Sequence, residues 1–136
     1  MTLKEKQQAI IEDFSMYEDW LDKYEYLIEL GKSLEGLPEE KKTEDRLIKG
    51  CQSRVWLDCR KDGDQLVFSA DSDALITRGI IAMLVQVYSG SSAEAILSDD
   101  FSFLDQLGLK ENLSPTRSNG LVSMIAQIRA KAAENE

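Results

Sequence analysis

The chain has 136 residues, 43% hydrophobic and 30% charged, which suits one compact domain over residues 1–136 with a single core. Its 25 acidic and 16 basic side chains leave a net charge of −9, and the bases are scattered apart from Lys41-Lys42. That pattern argues against a nucleic-acid surface and for a protein or small-molecule partner.

Thr2 with Glu5 has capping-box spacing and predicts a helix through about Phe14. Ser15 with Glu18 repeats the signal at the next start. Tyr17, Trp20, Leu21, Tyr24, Leu27, Ile28 and Gly31 then recur at helical spacing, with an end near Leu34 and stops at Gly36 and Pro38. Glu39 to Arg46 reads as an exposed loop. Leu47-Ile48 is a short extended piece, Ser53 to Arg60 alternates as a strand, Lys61 to Asp64 is a turn, and Leu66 to Ala70 is the return strand.

Asp71-Ser72-Asp73 has the composition of a helix N-cap. The helix after it is apolar almost all round, through Ile76, Ile80, Ile81, Leu84, Val85, Val87 and Tyr88, and is expected at the centre of the core. Ser92 opens a short helix and Phe101 to Leu107 forms another. Ser114 to Gly120 reads as a loop into a last helix from about Ser118 to Ala133, which buries Leu121, Met124, Ile125 and Ile128. The expected class is α+β, a small antiparallel sheet of about three strands packed against helices.

No apolar run approaches the roughly 20 residues that span a bilayer, so no membrane association is expected. The first residues lack a secretory core segment and two cysteines make no disulfide framework, which fits a reducing, cytoplasmic setting. Histidine is absent, which removes Cys–His nucleophile pairs and histidine-containing zinc sites. Two cysteines cannot complete a four-thiolate site, and a site of two cysteines with carboxylates is an unusual set, so no metal is expected.

Cys51 is the candidate for chemistry. Gly50 precedes it, Gln52 and Ser53 follow, and Lys49 and Arg54 flank it, so the segment reads as a tight loop before a strand with cations to favour the thiolate. Without a histidine base this thiol suits sulfur-to-sulfur exchange better than amide hydrolysis, because exchange needs no proton delivery to a poor leaving group. Cys59 falls in phase with Val55 and Leu57 and reads as a packed thiol. Along an extended strand the two cysteines would lie about 26 Å apart, too far for a disulfide without a sharp fold-back. Trp56 reads as sheet-face packing. Arg117, just before a helix N-terminus, gains nothing from the dipole and is expected to face a carboxylate of this chain or of another.

Gly50-Cys51-Gln52-Ser53-Arg54-Val55-Trp56 resembles the G-C-Q-S-x-V-W active-site segment of the SufE-like sulfur acceptors. Asp71-Ser72-Asp73-Ala74 with Arg78-Gly79-Ile80-Ile81-Ala82 is similar to a second block of that family, and Leu113 to Leu121 to a third. Trp20, Tyr24 and Ile28 to Gly31 also fit, so the resemblance spans nearly the whole chain in order.

The resemblance implies an IscU/SufE-like fold with the acceptor cysteine on a loop at one end. It implies that Cys51 receives sulfur from a PLP-dependent cysteine desulfurase of the SufS type, as a persulfide. Binding would stimulate that desulfurase, and the sulfur would pass to a SufBCD-type iron–sulfur scaffold. PLP belongs to the desulfurase, so the chain itself is expected to carry no cofactor. Gly50, Gln52, Ser53, Asp73 and Arg117 are implied in loop support or partner contact. A persulfide needs shelter, so Cys51 is expected to be partly covered in the free protein, with its loop moving outward on docking. A CsdE-type acceptor for a different desulfurase, a non-catalytic desulfurase-activating module, and a redox sensor using Cys51 and Cys59 remain as alternatives.

Overall fold

The computed structural model describes residues 1–136. Helix α1 (Leu3–Ser15) begins with the expected capping box: the Glu5 N–H donates to Thr2 Oγ1 at 3.1 Å and the Thr2 N–H to Glu5 Oε1 at 2.8 Å. Helix α2 (Trp20–Ser33) is capped by Asp19, which accepts from the Leu21 N–H at 2.8 Å. The expected start at Ser15 is not used. That residue lies in the last turn of α1, where its hydroxyl donates to the Glu12 carbonyl at 2.7 Å.

The sheet has two strands, β1 (Val55–Asp62) and β2 (Gln65–Ser72), paired antiparallel with Leu57 opposite Ala70 and Cys59 opposite Phe68. The third expected strand is only an isolated bridge. Leu47 pairs with Trp56, and the Ile48 N–H donates to the Val55 carbonyl at 2.7 Å before the chain turns away at Gly50. Val55, Leu57, Leu66, Phe68 and Ala70 turn inward onto helix α3 (Leu75–Tyr88). Trp56 is also buried, with the Lys42 ammonium over its ring.

Helix α3 is the central helix that its composition predicts, with Ile80, Ile81, Met83, Leu84 and Val87 buried, although Ile76 and Val85 are only partly so. It lies directly against α2. A Cβ at Gly79 would stand 2.1 Å from the Leu27 carbonyl oxygen, and one at Gly31 would stand 3.0 Å from the Gly79 nitrogen. Only glycine lets the two backbones approach so closely.

The Asp71-Ser72-Asp73 cap is not formed. Strand β2 runs through Ser72, and α3 starts after Ala74 with no side-chain cap. Asp71 is drawn instead into an ion pair with Arg78, which also donates to the carbonyls of Gly31 at 2.8 Å and Leu34 at 2.7 Å. The Leu37 N–H at 3.0 Å, the Ser72 N–H at 2.8 Å and Lys42 at 3.4 Å complete the shell of Asp71. This cluster ties the exit of α2 to the start of α3.

Short helices α4 (Ala93–Ser98), α5 (Phe103–Leu107) and α6 (Leu109–Asn112) lead to α7 (Pro115–Glu134). The segment expected to be a loop before Ser118 is the first turn of α7. Pro115 occupies the first helical position, where its missing N–H is harmless, and Ser114 Oγ accepts from the Arg117 N–H at 3.3 Å. Leu121, Met124 and Ile128 face the core, while Ile125 is only half-buried beside Phe101 and Arg129 on another face.

Candidate functional site

The loop between Ile48 and Val55 is pinched at its base and carries Cys51 at its tip. Ile48 and Val55 close the base through their backbone bond. Arg54 is held on both sides of its peptide: its N–H donates to Asp73 Oδ1 at 3.1 Å, and its carbonyl accepts from Ser72 Oγ at 2.8 Å. Asp71 and its cluster support the same segment from the far side, since the Ser72 N–H donates to Asp71 Oδ1 at 2.8 Å.

Gly50 turns the loop with φ +91°, in the region that side-chain-bearing residues rarely enter. A Cβ there would also stand 2.4 Å from Ser123 Oγ on α7. The tip itself is held lightly. The Cys51 thiol donates to the Gly120 carbonyl of α7 at 3.6 Å, and a Cβ at Gly120 would meet the sulfur at 3.5 Å, in ordinary van der Waals contact.

A cleft of about 260 Å³ opens beside the thiol. The loop contributes Cys51, Gln52 and Ser53, and α3 contributes Thr77 and Ile80. From α7 come Thr116, Arg117, Gly120 and Met124. Of the residues singled out in the sequence, Cys51, Gln52, Ser53 and Arg117 therefore share one cavity. Gly50 sits beneath the loop, and Asp73 grips the loop base rather than the cleft.

One electrostatic expectation changes and another narrows. Burial pushes the Cys51 thiol above its ordinary pKa, and neither Lys49 nor Arg54 offsets it. Both residues are exposed, and the fold uses the Arg54 backbone rather than its guanidinium. The resting form is therefore a half-buried thiol rather than a thiolate favoured by cations. Arg117, expected to face a carboxylate of this chain or of another, has none of this chain within ion-pair distance and is exposed at the cleft, which leaves the second alternative.

Cys59 lies in the middle of β1 opposite Phe68, partly buried against the core. Burial raises its thiol too, with Lys131 pulling the other way. Both cysteines are free. No three His, Cys, Asp or Glu side chains stand close enough together to hold a metal ion, and no helix is long and apolar enough to cross a membrane.

Two residues to which the sequence assigned no role matter here. Arg78 is the hub between α2, β2 and α3, and its one local sign was a cation near the start of an apolar helix. Thr77 is a hydroxyl on the buried face of that same helix and lines the cleft; a lone polar residue within an otherwise apolar face is the available signal.

Comparison with known proteins assigns the chain. The family model for SufE, described as an Fe-S metabolism associated domain, matches residues 8–132. A SufE-like protein of Rhizobium etli is 47% identical over 128 residues, covering 90% of this chain and 86% of its own length. A SufE-like protein of Rhizobium meliloti is 41% identical over 128 residues, covering 90% of this chain and 91% of its own. The solution structure of a hypothetical protein from Thermus thermophilus superposes with a TM-score of 0.79 over 96% of this chain and 95% of that one; at 20% identity it speaks to the fold alone. With the family model covering most of its length and two relatives above 40% identity, the chain belongs to the SufE family.

Proposed function

We propose that the protein is a sulfur carrier in which Cys51 takes the outer sulfur of a persulfide on a PLP-dependent cysteine desulfurase of the SufS type. The carried sulfur then passes to an iron–sulfur cluster scaffold of the SufBCD type. The observation that supports this reading is a half-buried thiol at the tip of a pinched loop, opening on a polar cleft, in a chain of the SufE family.

The chemistry is an exchange that needs no external oxidant. Cys51 loses its proton and its sulfur attacks the outer sulfur of the donor persulfide. A new S–S bond forms as the donor's S–S bond breaks, and the donor cysteine leaves as a thiolate that takes up a proton. One thiol and one persulfide go in, and one thiol and one persulfide come out. Histidine is not required, because the desulfurase supplies an already activated sulfur.

Burial keeps the resting thiol protonated, so the donor must change its surroundings before attack. The tip offers a means. One weak S–H···O contact holds Cys51 to α7, whereas Arg54 is anchored twice at the base. Docking draws the tip outward about Gly50, exposes the sulfur and raises its thiolate fraction. Removal of sulfur from the desulfurase by this route is also how the protein stimulates turnover.

The test is to incubate the protein with a SufS-type desulfurase and free cysteine, and to measure its intact mass. A gain of one sulfur atom that disappears in Cys51→Ser is expected. Stimulation of the desulfurase that survives Cys51→Ser, with no sulfur gained by the parent protein, would identify a binding module instead.

A further inference from the structure

Thr77 is only 7% exposed, yet its hydroxyl makes no hydrogen bond within the protein. Buried hydroxyls are nearly always paired. Every side-chain oxygen and nitrogen fully sealed from solvent in this fold has a partner, so the Thr77 hydroxyl opens on the space it lines, which is the Cys51 cleft. Arg117 and the first turn of the 20-residue helix α7 line the same cleft, both favouring negative charge. The chain holds 25 Asp and Glu, and none of them lines the cleft. The cleft thus carries a cation, a helix N-terminus and a hydroxyl with no partner in the protein, and no carboxylate.

We propose that this cleft is the subsite for the outer sulfur of the Cys51 persulfide in its anionic form, with the Thr77 hydroxyl as hydrogen-bond donor. The inference rests on the sulfur-carrier reading and adds where the cargo sits and what holds it. A persulfide extends the cysteine by about 2 Å, one S–S bond, from the cleft wall into the cavity. Its outer S–H ionises more readily than a thiol, so its charge falls where the free thiol has none. The thiol itself donates to the Gly120 carbonyl on α7 and owes nothing to Thr77. Cargo and empty carrier are thereby held by different groups.

The experiment compares Thr77→Val and Thr77→Ser with the parent protein in a Cys59→Ser background, so that one thiol remains. Each protein is loaded with inorganic polysulfide, and the persulfide is alkylated with iodoacetamide across a pH series with intact mass as readout. Valine keeps the size of threonine among apolar neighbours, and serine restores the hydroxyl. Because a hydrogen bond to an anion lowers its pKa, the persulfide profile of Thr77→Val is expected to move up by about one pH unit, or about tenfold slower alkylation on its acidic limb. Thr77→Ser should follow the parent, and the profiles of the unloaded thiols should coincide. Coincident persulfide profiles, a serine variant that behaves like valine, or an equal shift in the unloaded thiol would each overturn the subsite while leaving the carrier intact. Failure of Cys51 in the parent to gain sulfur from either polysulfide or a desulfurase would overturn both.

Discussion

Cys51 and Cys59 are chemically matched and structurally opposite. Both thiols are half-buried, and burial raises both. Cys59 sits in a regular ladder with Phe68 across from it, so its backbone is held within a strand and its sulfur lies outside the cleft. Cys51 sits on a loop that is rigid at the base and nearly free at the tip, beside a cavity that can take another atom. Resting acidity therefore does not separate the proposed carrier thiol from the packed one. Freedom of the backbone and room beside the sulfur do.

The largest effect that follows is all-or-none. Cys51→Ser should abolish sulfur uptake, while Cys59→Ser should leave the rate within about twofold, as a substitution outside the site normally does. Equal losses in the two variants, read by intact mass, would erase the contrast between the regions.

Next comes the rigid side of the comparison. Arg78→Met leaves the Asp71 carboxylate buried without its main cation, and should cost about 3–5 kcal/mol of stability by urea denaturation. The same carboxylate gives a pH signature. Burial opposes its ionisation, but the Leu37 and Ser72 N–H groups together with Arg78 and Lys42 win, and they hold its carboxyl below the ordinary range. Because the folded pKa lies below the unfolded one, this stabilisation is present above the unfolded value of about 3.9 and is lost as pH falls through the folded value. Asp71→Asn should accordingly flatten the acid limb of a stability–pH curve.

A smaller effect probes the hinge. Gly50→Ala forces a side chain into a positive φ and against Ser123 Oγ, and should cost about 1–3 kcal/mol. It should also shift the Cys51 loop in amide hydrogen exchange while the β1–β2 ladder keeps its protection. The smallest effect is on the resting thiol: iodoacetamide at neutral pH should modify Cys51 in the folded protein more slowly than in urea, since burial raises its pKa. Faster reaction in the folded state would restore the activating cations that Lys49 and Arg54 first suggested.

The parts of this fold that were legible in the sequence are those specified locally. The Thr2–Glu5 box, the hairpin turn and the apolar run of α3 each follow from residues a few positions apart. What escaped depends on distant partners. Asp71 looks like a helix cap until Arg78, Leu37 and Lys42 surround it, and a third strand at Leu47-Ile48 looks plausible until Gly50 ends it after one bridge. Pro115 reads as a loop residue unless it is placed at the first position of α7. The motif around Cys51 pointed to the site, but its electrostatics did not follow from neighbours in sequence, because Arg54 turns its side chain to solvent and Thr77 and Arg117 arrive from other helices.

Sulfur is expected to travel on the loop thiol and not on the strand thiol. The most direct measurement is a peptide map, by tandem mass spectrometry, of the parent protein after a single turnover with a SufS-type desulfurase loaded with labelled cysteine sulfur. The label is expected as one extra sulfur on the peptide that contains Cys51, with the Cys59 peptide unlabelled. Label on Cys59, or on neither cysteine while the desulfurase turns over faster, would contradict it.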